Sequence, residues 1–286
     1  SFKGAYYPDH LTDYLKTMIA EFNELETSNI TIGAGSTQAL TTLSQVSGRD
    51  GPIVSSELTY DIHLQLAKNS GARIIKVKDL DDFSIDLESI KSVSMKNASA
   101  VFIVNPNNPS GLILNSDILK ESIKEMSKYA LVVVDEAYIE FTPSDSFALD
   151  IASTPNLIVL RTLSKAFSLA AVRIGFVLAN SEVIQLLAKL IAPYPIPDPS
   201  ARIALNSLSE MGVSYMEAQR DRILFSKTAV EKKLKALSCV ERVYPSVTNF
   251  LLVKFEDSVK VFNYLVQHGI ISVSYTHLTL PTTPYV

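Results

Sequence analysis

The chain has no tryptophan and a single cysteine, Cys239. One thiol forms no intrachain disulfide, so a disulfide-stapled scaffold is excluded, and a reducing, cytoplasmic setting is expected. No apolar stretch approaches the roughly 18–20 residues of a membrane span, and no signal-peptide pattern opens the sequence. Neither sign of charge dominates: 26 Lys and Arg stand against 30 Asp and Glu, a net charge of -4. That balance gives no electrostatic case for nucleic acid or for a membrane surface. The four histidines, His10, His63, His268 and His277, share no metal-ligand spacing and read as solvated or capping residues. Cys239 reads as a core thiol.

What is present is an ordinary globular composition over 286 residues, 47% apolar and 20% charged, long enough for one large core or two domains. Leu11–Glu24 has helical apolar spacing. Short apolar runs at Ile30–Ile32, Pro52–Ser55, Arg73–Val77, Ala98–Asn105, Ala130–Val134, Leu157–Leu160 and Ile174–Ala179 read as strands, with helices between them. The alternation predicts an α/β fold with a mostly parallel sheet covered on both faces. Four prolines in Pro193–Pro199 mark the expected boundary between a large domain, 1–195, and a smaller C-terminal α+β domain, 196–272. In the latter, Ser200–Ala236 is rich in helix formers, while Thr248–Phe255 and Ile270–Val273 look like strands. Residues 273–286 match nothing before them and resemble translated adapter read-through, so they are expected to be a non-native tail.

Polar residues stand where the strands end. Lys165 follows the strand Leu157–Leu160, flanked by Thr162 and Ser164, with Arg173 eight residues on and Gly175 after it. Asp135 and Tyr138 follow the strand Ala130–Val134. Asn108 lies in the rigid loop Pro106–Gly111, between two prolines. Gly35, Ser36 and Thr37 open a helix after the first strand, where free N–H groups attract anions. Singly, each has a plain reading: a solvated lysine, a helix-capping aspartate, a core tyrosine, an Asx turn, a helix cap, a surface ion pair. Together they suit one ligand, pyridoxal 5'-phosphate. It needs an amine for its aldehyde, an acid for its ring nitrogen, donors for its phenolic oxygen, and a helix N-terminus with an arginine for its phosphate. Glu136 and Glu140 suggest an acid-base pair, but Glu140 has no evident partner.

The runs Asp135-Glu136-Ala137-Tyr138-Ile139-Glu140-Phe141, Arg161-Thr162-Leu163-Ser164-Lys165-Ala166-Phe167 and Ile191-Ala192-Pro193-Tyr194-Pro195, with Asn105–Gly111, resemble those of the fold-type-I, class II aminotransferases. Within these they are most similar to the histidinol-phosphate aminotransferases, in the expected order over residues from about 5 to 271. The resemblance implies transamination of histidinol phosphate with 2-oxoglutarate, giving imidazole acetol phosphate and glutamate. It makes Lys165 both the covalent cofactor lysine and the base that moves the substrate α-proton. Asp135 would face the ring nitrogen, Tyr138 and Asn108 the phenolic oxygen, and Tyr60 the ring face. Gly35, Ser36, Thr37, Thr162, Ser164 and Arg173 would hold the phosphate. Tyr7 would reach the cofactor phosphate of a partner subunit, which implies a homodimer.

Two departures stand out. Ala171 occupies a position where the family has glycine, which matters only if that position needs a positive φ. The family's C-terminal substrate arginine and N-terminal arm have no counterpart here. Three alternatives therefore stay open: an aromatic amino-acid aminotransferase, a threonine-phosphate decarboxylase, or a fragment that binds the cofactor without completing catalysis. A dinucleotide-binding reading fails because Gly33-Ala34-Gly35 lacks the third glycine of that motif.

Overall fold

The computed structural model describes residues 7–8 and 10–275. Helix α1 (His10–Phe22) leads to β1 (Ile30–Ala34), α2 (Ser36–Ser47), β2 (Ile53–Ser56), α3 (Asp61–Asn69), β3 (Ile74–Val77) and α4 (Leu87–Asn97). Then follow β4 (Ala100–Val104), α5 (Ser116–Met126), β5 (Leu131–Asp135), β6 (Leu157–Thr162), β7 (Ile174–Ala179) and α6 (Ser181–Ala188). The chain continues through α7 (Asp198–Leu208), α8 (Glu210–Lys235), β8 (Val240–Val243), β9 (Val253–Phe255) and α9 (Ser258–Gln267).

Seven strands form one sheet in the order β1-β7-β6-β5-β4-β2-β3. The pairs β2–β3, β2–β4, β4–β5 and β5–β6 are parallel, and β7 runs antiparallel to both β6 and β1. Every residue of β4, β6 and β7 is buried, as uninterrupted Val, Ile, Leu and Phe runs require when helices cover both faces. Two apolar layers result. One gathers Val101, Ile103, Val132, Val134 and Val159 with α1, α4 and α5. The other gathers Phe102, Val133, Ile158 and Leu160 with α2 and α6. Odd and even strand positions divide between them, the alternation of a pleated sheet.

Helix α7 buries Ala201, Ala204 and Leu208 in the same cluster as Leu15 and Ile19 of α1. Strands β8 and β9 form a separate antiparallel pair with their own core of Val243, Val253 and Phe255. Tyr244 and Leu252 pack with Leu58 and Phe83, joining this pair to the loop after β2.

Several sequence expectations need correction. Only Val253–Phe255 of the expected strand 248–255 is extended in a ladder, and Ile270–Val273 is not a strand. Helices α4, α6 and α9 and strand β8 were not anticipated; β8 and α9 are short and largely exposed. Cys239 is exposed rather than a core thiol. The expected tail falls mostly outside the described residues, as does His277. Among the described residues no helix is long and apolar enough to cross a membrane.

Candidate active site

The strand order explains why distant residues meet. Parallel β4, β5 and β6 bring their carboxyl ends to one edge of the sheet. Because β7 is antiparallel to β6, its amino end returns to that edge, and because β1 is antiparallel to β7, its carboxyl end does too. Asp135, Thr162, Arg173 and the start of α2 therefore converge, although more than a hundred residues separate the first and last in sequence.

A cavity of about 140 Å³ lies at this edge, lined by Ser36, Thr37, Tyr60, Asn108, Asp135, Tyr138, Thr162, Ser164, Lys165 and Arg173, with Val104, Ala137 and Ala170. Every expected site residue except Gly35 and Tyr7 lines it. Gly35 stands immediately behind: its φ is +76°, and a Cβ there would meet Arg173 Nη2 at 2.3 Å. Tyr7 is not at the cavity; it is exposed and stacks on Tyr194 with ring centroids 4.8 Å apart. A wider cavity of about 560 Å³ lies between α8 and β9, lined largely by apolar side chains such as Ile223, Leu234 and Val253. Its lysine, Lys227, is already bonded to the carbonyls of Ser246 and Thr248.

One end of the cavity is built for an anion. Gly35 caps α2 without a side chain, leaving the first-turn N–H groups of Ser36 and Thr37 with no partner inside the helix. Gly175 permits the close approach: a Cβ there would lie 2.1 Å from Ser36 N. Arg173 adopts the left-handed conformation (φ 59°), and its Nη1 donates to Ala170 O at 3.0 Å. The Ser164 N–H donates to Thr162 Oγ1, and the Thr162 hydroxyl donates to Ile174 O. Ala171 is not among the positive-φ residues, so the missing glycine at that position causes no strain.

At the other end, Lys165 Nζ lies 5.2 Å from the centroid of the Tyr138 ring. Asn108 Nδ2 donates to the Tyr138 hydroxyl at 3.1 Å. The loop holding Asn108 is tied down by Asn107 Nδ2, which donates to Leu58 O. The Tyr275 hydroxyl donates to Asn108 Oδ1 at 3.2 Å, so the end of the described chain reaches the cavity mouth. Burial pushes this phenol's pKa up, with Tyr138, Asp61 and Tyr60 adding to the rise.

Asp135 is buried, and the Ala137 N–H donates to its Oδ1 at 2.9 Å. His63 Nε2 lies 2.7 Å from Asp135 Oδ2; a carboxylate neighbour requires the hydrogen on that nitrogen. His63 is 1% exposed and meets Phe102 and Tyr60 edge to face, which corrects its reading as a solvated or capping residue. The available signal was its place three residues after Tyr60, within one turn of a helix. His268, by contrast, is exposed, with Nδ1 2.8 Å from Tyr264 O. Asp79 also escaped notice. It accepts from the Ser56 hydroxyl and the Leu58 N–H and so fixes the loop that carries Tyr60. Burial pushes its carboxyl up to about 6, against those two hydrogen bonds.

Glu136 finds its partner behind the cavity: Arg161 Nε donates to its Oε2 at 3.0 Å, and the Phe147 N–H donates to Oε1 at 2.6 Å. Glu140 is buried, its Oε2 has no partner, and burial pushes it up to about 7.

The donor set fits pyridoxal phosphate: a cup of N–H groups, hydroxyls and a guanidinium for an anion, a buried carboxylate across from it, and an amine between. Among the described residues, Lys165 and Arg173 are the cationic side chains that line the cavity, and no His, Cys, Asp and Glu cluster could hold a metal ion.

The profile of the family "Aminotransferase class I and II" matches residues 4–284. The histidinol-phosphate aminotransferase of Pectobacterium carotovorum is 37% identical over 268 residues, 93% of this chain and 74% of that protein. That of Escherichia coli is 42% identical over 213 residues, 74% of this chain and 60% of that protein. In structure, the chain is similar to the histidinol-phosphate aminotransferase of Sinorhizobium meliloti solved in complex with pyridoxal-5'-phosphate. The TM-score is 0.85 at 26% identity, covering 93% of this chain and 73% of that one.

Proposed function

The chain belongs to the class I and II aminotransferases and, within them, to the histidinol-phosphate aminotransferases. From that membership we propose that it binds pyridoxal 5'-phosphate and transfers the amino group of histidinol phosphate to 2-oxoglutarate, a step of histidine biosynthesis. The observation that carries the reading is the shared cavity of Lys165, Asp135 and the α2 anion cup. The bound cofactor supplies the electron sink that makes the substrate α-proton acidic.

The protein's own groups do the rest. Ser36 and Thr37 would offer N–H groups, Ser164 a hydroxyl and Arg173 a guanidinium to the phosphate, and the Thr162 hydroxyl would join them on turning from Ile174 O. Asp135 would hold a proton at the ring nitrogen of the bound group, and His63, 2.7 Å away, holds Asp135 in place. Tyr138 and Asn108 would donate to the phenolic oxygen, and Tyr60 would cover the ring. Lys165, the amine that lines the cavity with them, would serve as the base for the substrate α-proton. Tyr7 serves the phosphate of a partner subunit, so the working form is a homodimer. The domain division at residues 195–196 belongs to the same proposal.

A second reading, that the chain binds cofactor without turnover, is favoured by one observation: no cationic side chain beyond Lys165 and Arg173 lines the described cavity. One experiment separates the two. Purified chain is titrated with pyridoxal phosphate and assayed on histidinol phosphate, on tyrosine and phenylalanine, and on threonine phosphate. A visible cofactor band that Lys165→Ala abolishes, with turnover falling at least roughly 100-fold, supports the site. Absence of the band in the unmodified chain refutes it, and a band without turnover selects the second reading.

A further inference from the structure

Glu136, Glu140 and Arg161 sit together outside the cavity lining. Arg161 precedes Thr162 on β6, and Glu136 follows Asp135 at the end of β5. Successive side chains of extended backbone face opposite ways. Asp135 and Thr162 line the cavity, and Arg161 and Glu136 meet behind it. The last backbone bond between these strands runs from Glu136 N–H to Leu160 O at 2.8 Å. Beyond it one chain leads to Tyr138 and the other to Lys165. The Arg161–Glu136 pair crosses that divergence. It is completed by Ser146, whose hydroxyl donates to Glu136 Oε2 and accepts from Arg161 Nη2. Arg161 and Glu136 are 7% and 0% exposed, so solvent screens the pair little.

We infer that Arg161 is a positioning residue for the cofactor: through Glu136 and Ser146 it sets the spacing between the Asp135 strand end and the Thr162–Lys165 strand end. The inference rests on the functional reading above. One guanidinium faces two buried carboxylates, since Glu140 lies beside the pair with its Oε2 unpartnered. Arg161 lowers the pKa of both acids against the effect of burial. A planar fork holding several acceptors at once is a task lysine cannot reproduce.

The test compares Arg161→Lys and Ser146→Ala with Leu119→Ala, a core variant in α5 that is not among the residues lining the cavity. The readouts are the release rate of bound pyridoxal phosphate and the pH midpoint of its absorption band, both well below Tm. Arg161→Lys and Ser146→Ala are expected to speed release by roughly 10- to 100-fold and to displace the midpoint. Leu119→Ala is expected to lower Tm and leave both unchanged. If Arg161→Lys does not fold, Ser146→Ala carries the test. Wild-type release and midpoint in the folded variants, or equal changes in Leu119→Ala, overturn the positioning role. A wild-type chain that takes up no cofactor instead defeats the functional reading itself.

Discussion

Replacing Gly175 by alanine should dismantle the anion cup while leaving every polar group in the protein. A Cβ at this position would lie 2.1 Å from Ser36 N, 2.4 Å from Gly35 C and 2.8 Å from Ser36 Cα, all backbone atoms that no rotamer change can clear. Ordinary carbon contacts lie near 3.5 Å, so β7 and the start of α2 must part by more than about 1 Å. Gly175 pairs with Thr162 on one side and Gly33 on the other, so the strain falls on both strands that frame the cup. Forcing a methyl into such a site costs about 1–3 kcal/mol of stability. For the cofactor the loss is larger in kind. A hydrogen bond to a charged group is worth about 1.5–3 kcal/mol. Moving one phosphate contact out of reach should then weaken binding by roughly 10- to 150-fold. The assay is a titration of pyridoxal phosphate followed by its absorption band, with urea unfolding of the cofactor-free chain in parallel. Ala171→Gly is the control: position 171 does not use a positive φ, so it should bind as the wild type does. A Gly175→Ala chain that binds within about threefold of wild type would refute the close-approach argument.

Glu140→Gln tests the unused buried acid. Its carboxyl is raised to about 7 from 4.5, so the stability it contributes is full below the lower value and is lost as pH rises through the higher. The variant should flatten the fall in urea midpoint between about pH 5 and about pH 8 and be the more stable form at the alkaline end; an unchanged slope would sink the idea. His63→Phe and Asp135→Leu, singly and together, measure the pair beside the cavity. The coupling energy from urea unfolding of the cofactor-free chain should be about 1.5–3 kcal/mol, and a value near zero would mean that the 2.7 Å contact holds nothing in place.

The extent to which the sequence was readable follows from the range of the forces involved. Buried strands announced themselves because β4, β5, β6 and β7 carry unbroken apolar runs bounded by polar ends. The phosphate cup and the strand-end residues were legible because each is local: Gly35 with Ser36 and Thr37, Thr162 with Ser164 and Lys165. Weakly amphipathic α4 and exposed β8 were not, since little apolar patterning is needed there, whereas α9 carries helical spacing at Val261, Phe262 and Leu265 and was legible though unread. Ile270–Val273 shows the converse error, an apolar run with no partner strand among the described residues.

The sequence by itself determined the chemistry on offer: an amine, an acid, a tyrosine, hydroxyls and an arginine, each stationed at the end of an apolar run. Only the tertiary structure decided which of them meet and what stands behind them. The reversal of β7 brings Arg173 to the start of α2, and the absence of a Cβ on Gly175 lets backbone touch backbone there. Fold-back also takes His63 out of water and against Asp135, and sets Arg161 between Glu136 and Glu140. These pairings join residues 21 to 140 positions apart in sequence, and no local propensity reaches that far. They exist because a parallel sheet buried on both faces must gather its strand ends at one edge, and polar groups carried into that edge must find partners there.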